Sequence, residues 1–165
     1  MNVFIGACIK NDTEKMIQLL NEGINPDVKN GIGETSLMVA INYNNIKVIQ
    51  ELLDKGADPN KKNNMRMNSL MIACKNCNIN ILKILIDKIK NLNTQNIDGD
   101  TSLMIACNKN NIELIKILLK AGADPNIKNI KNLAPLMIAI KNKNTKIVKY
   151  LLNLFTFKTP SFYIF

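Results

Sequence analysis

The sequence predicts an all-α solenoid of stacked antiparallel helix pairs joined by β-hairpin-like loops. Two observations support this prediction. A segment containing Leu-Met-x-Ala occurs four times, each copy 33 residues after the last, and an amphipathic segment follows each copy at a constant offset. A fixed period of this length is typical of repeat proteins, in which each unit packs mainly against its neighbours.

The Leu-Met segment predicts a short inner helix in each unit. Its copies are ETSLMVAI (34–41), MNSLMIAC (67–74), DTSLMIAC (100–107) and LAPLMIAI (133–140). Thr35, Asn68 and Thr101 precede three of these helices and can accept a hydrogen bond from a free N–H group of the first turn. Ala134 cannot do so, and we expect the last inner helix to begin without a side-chain cap.

The second segment predicts an outer helix, because its apolar residues recur at i, i+1, i+4 and i+5 and so form one stripe. An acceptor stands before each of these helices as a candidate N-cap. These acceptors are Asp12, Asn45, Asn78, Asn111 and Asn144. Gly23, Gly56 and Gly122 stand where a left-handed residue ends an outer helix. One helix pair cannot bury its apolar stripe alone, so the units must stack.

The period divides the chain into repeat units within a single domain, 1–165. The units are about 1–30, 31–63, 64–96, 97–129 and 130–155, followed by an apolar C-terminal tail, 156–165. Three interpretations of the tail remain open: it covers the end of the stack, it is a truncated remnant, or it docks on a membrane or a partner. Lys158 and Pro160 argue against a membrane-spanning helix there.

The repeated blocks resemble the ankyrin repeat, which combines a glycine turn, Thr-Pro-Leu-His, two helices and a closing Gly-Ala-Asp-x-Asn. GADPN at 56–60 and at 122–126 matches the closing element. Methionine replaces the histidine in every copy, and Ser36, Ser69 and Ser102 replace the proline. The chain is rich in Lys, Asn and Ile, whose codons are AT-rich, and it is similar to stand-alone ankyrin-repeat proteins encoded by AT-rich large DNA viruses.

The third unit departs most from the family pattern. Arg66 stands where Gly33 and Gly99 make the turn, and Ile89 stands where Gly56 and Gly122 end the outer helix. A β-branched residue is costly in the left-handed conformation. We therefore predict an altered loop near 88–93.

Residue chemistry argues against an enzyme. The chain has no histidine, which excludes Ser-His and Cys-His pairs and the HExxH metal helix. Asp98 and Asp100 lie in an Asn-Ile-Asp-Gly-Asp turn, where such side chains bond the backbone. Cys74 and Cys77 form one CxxC without the further ligands that a zinc site needs, and Cys74 shares its repeat position with core residues. No catalytic residue, metal or cofactor is expected.

The resemblance implies a partner protein bound on a concave face, formed by the loop tips before each inner helix and by exposed inner-helix positions. The tip candidates are Ile32, Glu34, Met65, Met67, Asp98, Asp100, Ile130, Lys131 and Leu133. The inner-helix candidates are Asn42, Tyr43, Lys75, Asn76, Asn108, Lys109, Lys141 and Asn142. Apolar tips would anchor a partner and the lysines would steer an acidic one.

A net charge of +9 suggests an alternative, the binding of nucleic acid or another acidic surface. Lysines also lie on predicted outer helices, at Lys83, Lys116 and Lys149, which argues against a focused basic patch. The chain begins without a basic-then-apolar leader and has no apolar run of about 18 residues. We expect a soluble, monomeric, cytoplasmic adaptor that acts on host proteins if the source is viral.

Overall fold

The computed structural model of the protein describes residues 3–156 and the side chains of residues 3–154. Within this range the chain forms ten α-helices and no strand, with one isolated antiparallel bridge between Lys29 and Thr35. The helices are α1 (Val3–Ile9), α2 (Thr13–Asn21), α3 (Ser36–Asn42), α4 (Ile46–Asp54), α5 (Ser69–Lys75), α6 (Ile79–Leu85), α7 (Ser102–Asn108), α8 (Ile112–Lys120), α9 (Pro135–Lys141) and α10 (Thr145–Thr156). The all-α fold predicted from the repeat is confirmed.

The inner helices are the odd-numbered ones, and three of them begin at the predicted caps. The Met38 N–H donates to Thr35 Oγ1 at 3.3 Å, and the equivalent bonds to Asn68 and Thr101 measure 3.0 and 3.3 Å. Helix α9 begins at Pro135 without a side-chain cap, as Ala134 predicts. Proline is well placed in this first turn, because its missing N–H would have no helical acceptor.

Each outer helix begins at a two-residue corner. The first residue of each corner is left-handed, with φ between 54° and 59°: Asn11, Asn44, Cys77, Asn110 and Lys143. The second is the predicted N-cap, and Asn45 Oδ1, for example, accepts from the Val48 N–H at 3.0 Å. Asparagine suits both positions, because it tolerates the left-handed region and supplies a short acceptor.

The helix pairs stack in chain order around one continuous core. Inner helices of successive units pack on one another from α1 to α9, and outer helices contact each other less extensively. The repeated Leu, Met and Ala positions form the centre, and Leu70, Met71 and Ala73 are each 0 % exposed. Methionine in place of the family's histidine is therefore a core residue in the middle units.

The third unit has the altered loop that Ile89 predicts. Helix α6 ends at Leu85 and continues as a single 3₁₀ turn, Ile86–Lys88. Ile89 is extended, with φ −87° and ψ 120°, whereas Gly56 and Gly122 are left-handed at φ 86° and 99°. The chain avoids the left-handed conformation here because of its cost for a β-branched residue.

Candidate functional site

Asparagine side chains shape the loop tips that precede the inner helices. Asn63 Oδ1 accepts from the backbone N–H groups of Met65 at 3.0 Å and Met67 at 2.9 Å. The same pair of bonds recurs in four units, at Asn30, Asn63, Asn96 and Asn129. These asparagines are not among the residues predicted from the sequence, although their 33-residue spacing could have revealed them.

Successive tips are also linked through their backbones. The N–H groups of Asn64, Ile97 and Ile130 each donate to a carbonyl of the preceding tip, at 3.2, 3.2 and 3.1 Å. Gly99 is left-handed, at φ 74°, and a Cβ there would lie 2.8 Å from the Ile130 nitrogen. Glycine at 99 therefore allows the close approach between neighbouring tips as well as the turn.

Exposed apolar side chains follow one another along these linked tips and form what we name the tip row. Its members and their exposed fractions are Ile32 (61 %), Met65 (48 %), Ile97 (43 %) and Ile130 (72 %). The sequence predicts Ile32, Met65 and Ile130 as tip residues but not Ile97, which stands one repeat position earlier than Met65. Apolar side chains arranged in this way are typical of an interaction surface.

Two expectations about individual tip residues are wrong. Met67 is only 8 % exposed and belongs to the core, because its side chain turns inward before α5, and it cannot serve as an exposed anchor. In the tip of the fourth unit, the backbone N–H groups donate to Asn96 Oδ1. The expected bonds from the backbone to the two aspartate side chains are not found among the described residues. Asp98 is exposed, and half-buried Asp100 accepts from Asn129 Nδ2 at 2.7 Å.

A series of side-chain hydrogen bonds joins the tip of the second unit to the inner-helix ends of the second and third units. Asn42 Nδ2 donates to Glu34 Oε1 at 3.0 Å, and Asn76 Nδ2 donates to Asn42 Oδ1 at 3.1 Å. Glu34 is half-buried, and so is Leu133 at the last tip. Tyr43, the residue after Asn42, is 55 % exposed. These hydrogen bonds therefore bring together one tip candidate, Glu34, and two inner-helix candidates, Asn42 and Asn76.

The inner-helix ends of the last three units each carry one exposed lysine. The exposed side chains are Asn42, Tyr43, Lys75, Asn76, Asn108, Lys109 and Lys141, and Lys131 is exposed at the last tip. Asn142 is half-buried and donates to the Cys107 carbonyl at 3.2 Å. In the part of the chain with described side chains, the one ion pair joins Lys61 to Asp27 at 3.2 Å. Lys75, Lys109 and Lys141, which we name the inner row, therefore make no ion pair with a described side chain.

Three of the four cysteines are buried, and burial raises the pKa values of their thiols. Burial raises the pKa of the Cys8 thiol to about 11 and that of Cys107 to about 12. Burial, with a smaller contribution from Cys77, raises the pKa of Cys74 well above its usual range. Cys77 is exposed. Among residues 3–154, no three His, Cys, Asp or Glu side chains are grouped so that they could hold a metal ion.

Comparison with known proteins identifies the family. A family model described as ankyrin repeats in three copies matches residues 4–96 and again residues 70–159, and the two matches together span most of the chain. The protein belongs to the ankyrin-repeat family. Ankyrin repeats are generally protein–protein interaction modules, and the fold is the stacked helix-pair solenoid of that family. A search of curated proteins finds no match.

The described helices of this ankyrin-repeat chain are short. None of the helices described between residues 3 and 156 is long and apolar enough to cross a bilayer. The longest, α10, has 12 residues, whereas a membrane-spanning helix needs about 20.

Proposed function

We propose that the chain is a non-enzymatic scaffold that binds a partner protein along the tip row and the adjoining inner-helix ends. The observation that carries this proposal is the tip row itself, in which Ile32, Met65, Ile97 and Ile130 are 43–72 % exposed. Backbone hydrogen bonds between successive tips restrain the backbone that carries these side chains. A rigid surface loses less conformational entropy when a partner docks, which favours affinity.

The packing of the two helix layers supports a concave binding face. Inner helices contact each other along the whole stack, and outer helices contact each other less extensively. A stack packed more tightly on one side curves toward that side, which is the side of the inner helices. A partner laid along this face could reach several tips and Tyr43 together.

The charges around the tip row favour an acidic partner. Lys75, Lys109 and Lys141 are exposed at successive inner-helix ends, and none is engaged in an ion pair among the described side chains. Uncompensated positive charge at the rim of an apolar surface speeds the association of a negatively charged protein. We therefore propose a partner surface with apolar side chains flanked by Asp or Glu.

Nucleic-acid binding is the weaker alternative, because the positive charge is not focused on one face. Outer-helix lysines such as Lys47, Lys83 and Lys116 are exposed like those of the inner row. If this alternative is correct, the affinity will fall steeply as the salt concentration rises.

The proposal is tested with two matched double variants in an affinity selection from cell extract. The tip variant carries Met65→Ser and Ile97→Ser, whose side chains are 48 and 43 % exposed. The control carries Val3→Ser and Ile46→Ser, which remove apolar side chains at 66 and 37 % exposure that lie outside the tip row and away from the C-terminal end of the stack. We expect the tip variant to bind the selected protein about tenfold less tightly, or worse, and the control to bind like the original chain.

Equal binding by the two variants would refute the tip-row surface. If the recovered material is nucleic acid that is released by modest salt and is indifferent to both variants, the charge-driven alternative is correct. Circular dichroism of both variants before selection ensures that only folded proteins are compared.

A further inference from the structure

The C-terminal end of the stack presents an apolar surface, which we name the end face. It consists of Leu136, Met137, Ile140, Val148 and Leu152 on α9 and α10. Met137 and Ile140 are 46 and 56 % exposed. Their equivalents in the preceding unit, Met104 and Cys107, are both 0 % exposed, because α9 covers α7. No described element covers α9 in the same way.

A series of hydrogen bonds between successive loops reaches its last described member at the same end. Asp27, Asn60 and Asn93 hold one repeat position, and the side-chain oxygen of each accepts a backbone N–H from the next loop at 2.9 Å. Asn126 is the next member of this series. Its side-chain amide donates to Asp124 Oδ1 at 3.1 Å, but no group among the described residues donates to its Oδ1.

The chain leaves the described structure beside this uncovered surface. Helix α10 ends at Thr156, and Leu154 in its last turn lines a depression of about 390 Å³ together with Leu119 and Gly122. Residues 157–165 follow immediately and lie outside the described residues. Their sequence, FKTPSFYIF, is mostly apolar and contains four of the eight aromatic residues of the chain.

The segment is long enough to reach the whole end face. Nine residues in an extended form span about 30 Å, whereas the 12 residues of α10 span about 18 Å. A chain that reverses direction after Thr156 can therefore run back along α10, over Leu152 and Val148, as far as Ile140. Pro160 suits such an extended path and not a continued helix.

We propose that residues 157–165 fold back over the end face and act as an intramolecular cap, placing aromatic side chains on Met137 and Ile140. A solenoid needs a cap at each end, because its terminal unit has no neighbour to bury the apolar side. Attachment to α10 gives this segment a high effective concentration at the end face, which favours it over a second copy of the chain or a separate partner. The proposal is independent of the proposed partner binding.

The test is a disulfide between the segment and the end face. In a Cys77→Ser background the remaining native thiols are buried, so two added cysteines, Ile140→Cys and Phe162→Cys, report on proximity. The control pairs Phe162→Cys with Ile46→Cys, on the exposed surface of α4 three units away. Both full-length proteins are oxidised at low concentration with oxidised glutathione and analysed by non-reducing electrophoresis and mass spectrometry.

We expect at least tenfold more intramolecular disulfide for Ile140→Cys than for the control. Equal cross-linking of the two pairs, or disulfides mainly between molecules, would overturn the proposal. A second measurement follows deuterium exchange of peptides from 135–154 in the original chain and in a Phe162→Ser, Phe165→Ser variant. The cap predicts faster exchange in the variant, by about tenfold, and unchanged exchange would overturn it.

Discussion

At the scale of single residues, the tips depend on asparagines that the apolar pattern does not reveal. Asn63 is buried at 9 % exposure, and its Oδ1 accepts two backbone N–H groups of the third tip. Removing a buried acceptor leaves both donors without a partner, and the cost exceeds the net value of the bonds themselves.

We expect Asn63→Ala to lower the free energy of unfolding by about 1–3 kcal/mol, measured by urea denaturation of the full chain. Asn80→Ala is the matched control, because Asn80 is exposed on α6, and its effect should stay within about 0.5 kcal/mol. Equal effects of the two substitutions would show that Asn63 does not hold the tip.

The four thiols should differ sharply in reactivity. Cys8, Cys74 and Cys107 are buried, and burial raises the pKa of each thiol, which lowers the fraction of reactive thiolate. At pH 8 we expect a maleimide to modify one cysteine in the native chain and four in denaturant. Cys77→Ser should abolish the native reaction, and persistent labelling of this variant would show that a buried thiol is accessible.

At the scale of helices, the caps decide where each helix begins, and α9 lacks one. Ala134 has φ −85° and ψ 163°, close to the backbone of the capping residue Thr101 at −87° and 168°. The Met137 N–H is the equivalent of the capped Met104 N–H. A threonine at 134 could therefore supply the missing acceptor without a change of backbone.

We expect Ala134→Thr to raise the free energy of unfolding by about 1 kcal/mol, measured from the urea midpoint. Ala134→Val has nearly the same shape without the oxygen and should not produce this gain. Similar results for both variants would assign the effect to packing, and the capping explanation would then be wrong.

Much of the fold could be predicted from the sequence, because the apolar period and the capping residues are local signals. The helix pairs, the altered loop at Ile89 and the missing cap at Ala134 follow from such signals. The burial of Met67 could not be predicted in this way, since it depends on how a tip packs against its neighbours. Ile97 was missed for the same reason, and Asn30, Asn63, Asn96 and Asn129 were missed because asparagine is abundant throughout the chain.

At the scale of the whole molecule, the buried thiols make stability depend on pH. The unfolded thiols have a pKa near 8.5, and the folded values of Cys8 and Cys107 are raised to about 11 and about 12. Below pH 8.5 both states are protonated and the stability is fully present. As the pH rises above this value toward the folded pKa, only the unfolded state loses protons, and stability is lost.

Between pH 7.5 and 9.5 the unfolding free energy should fall by roughly 1 kcal/mol for each buried thiol. Cys107→Ala removes one of these groups and should reduce the fall accordingly, whereas Cys77→Ser, at an exposed site, should not. Urea midpoints at both pH values measure the effect. An equal fall in Cys107→Ala and the original chain would contradict this explanation.

The central claim is that a partner protein binds along the tip row of the stacked repeats. The most direct measurement is deuterium exchange of the chain with and without its selected partner. We predict slower exchange in peptides that contain the tips, 30–34, 63–67, 96–100 and 129–133, and no change in α4, α6 and α8. Protection confined to the outer helices or to the end face, with the tips unchanged, would contradict the claim.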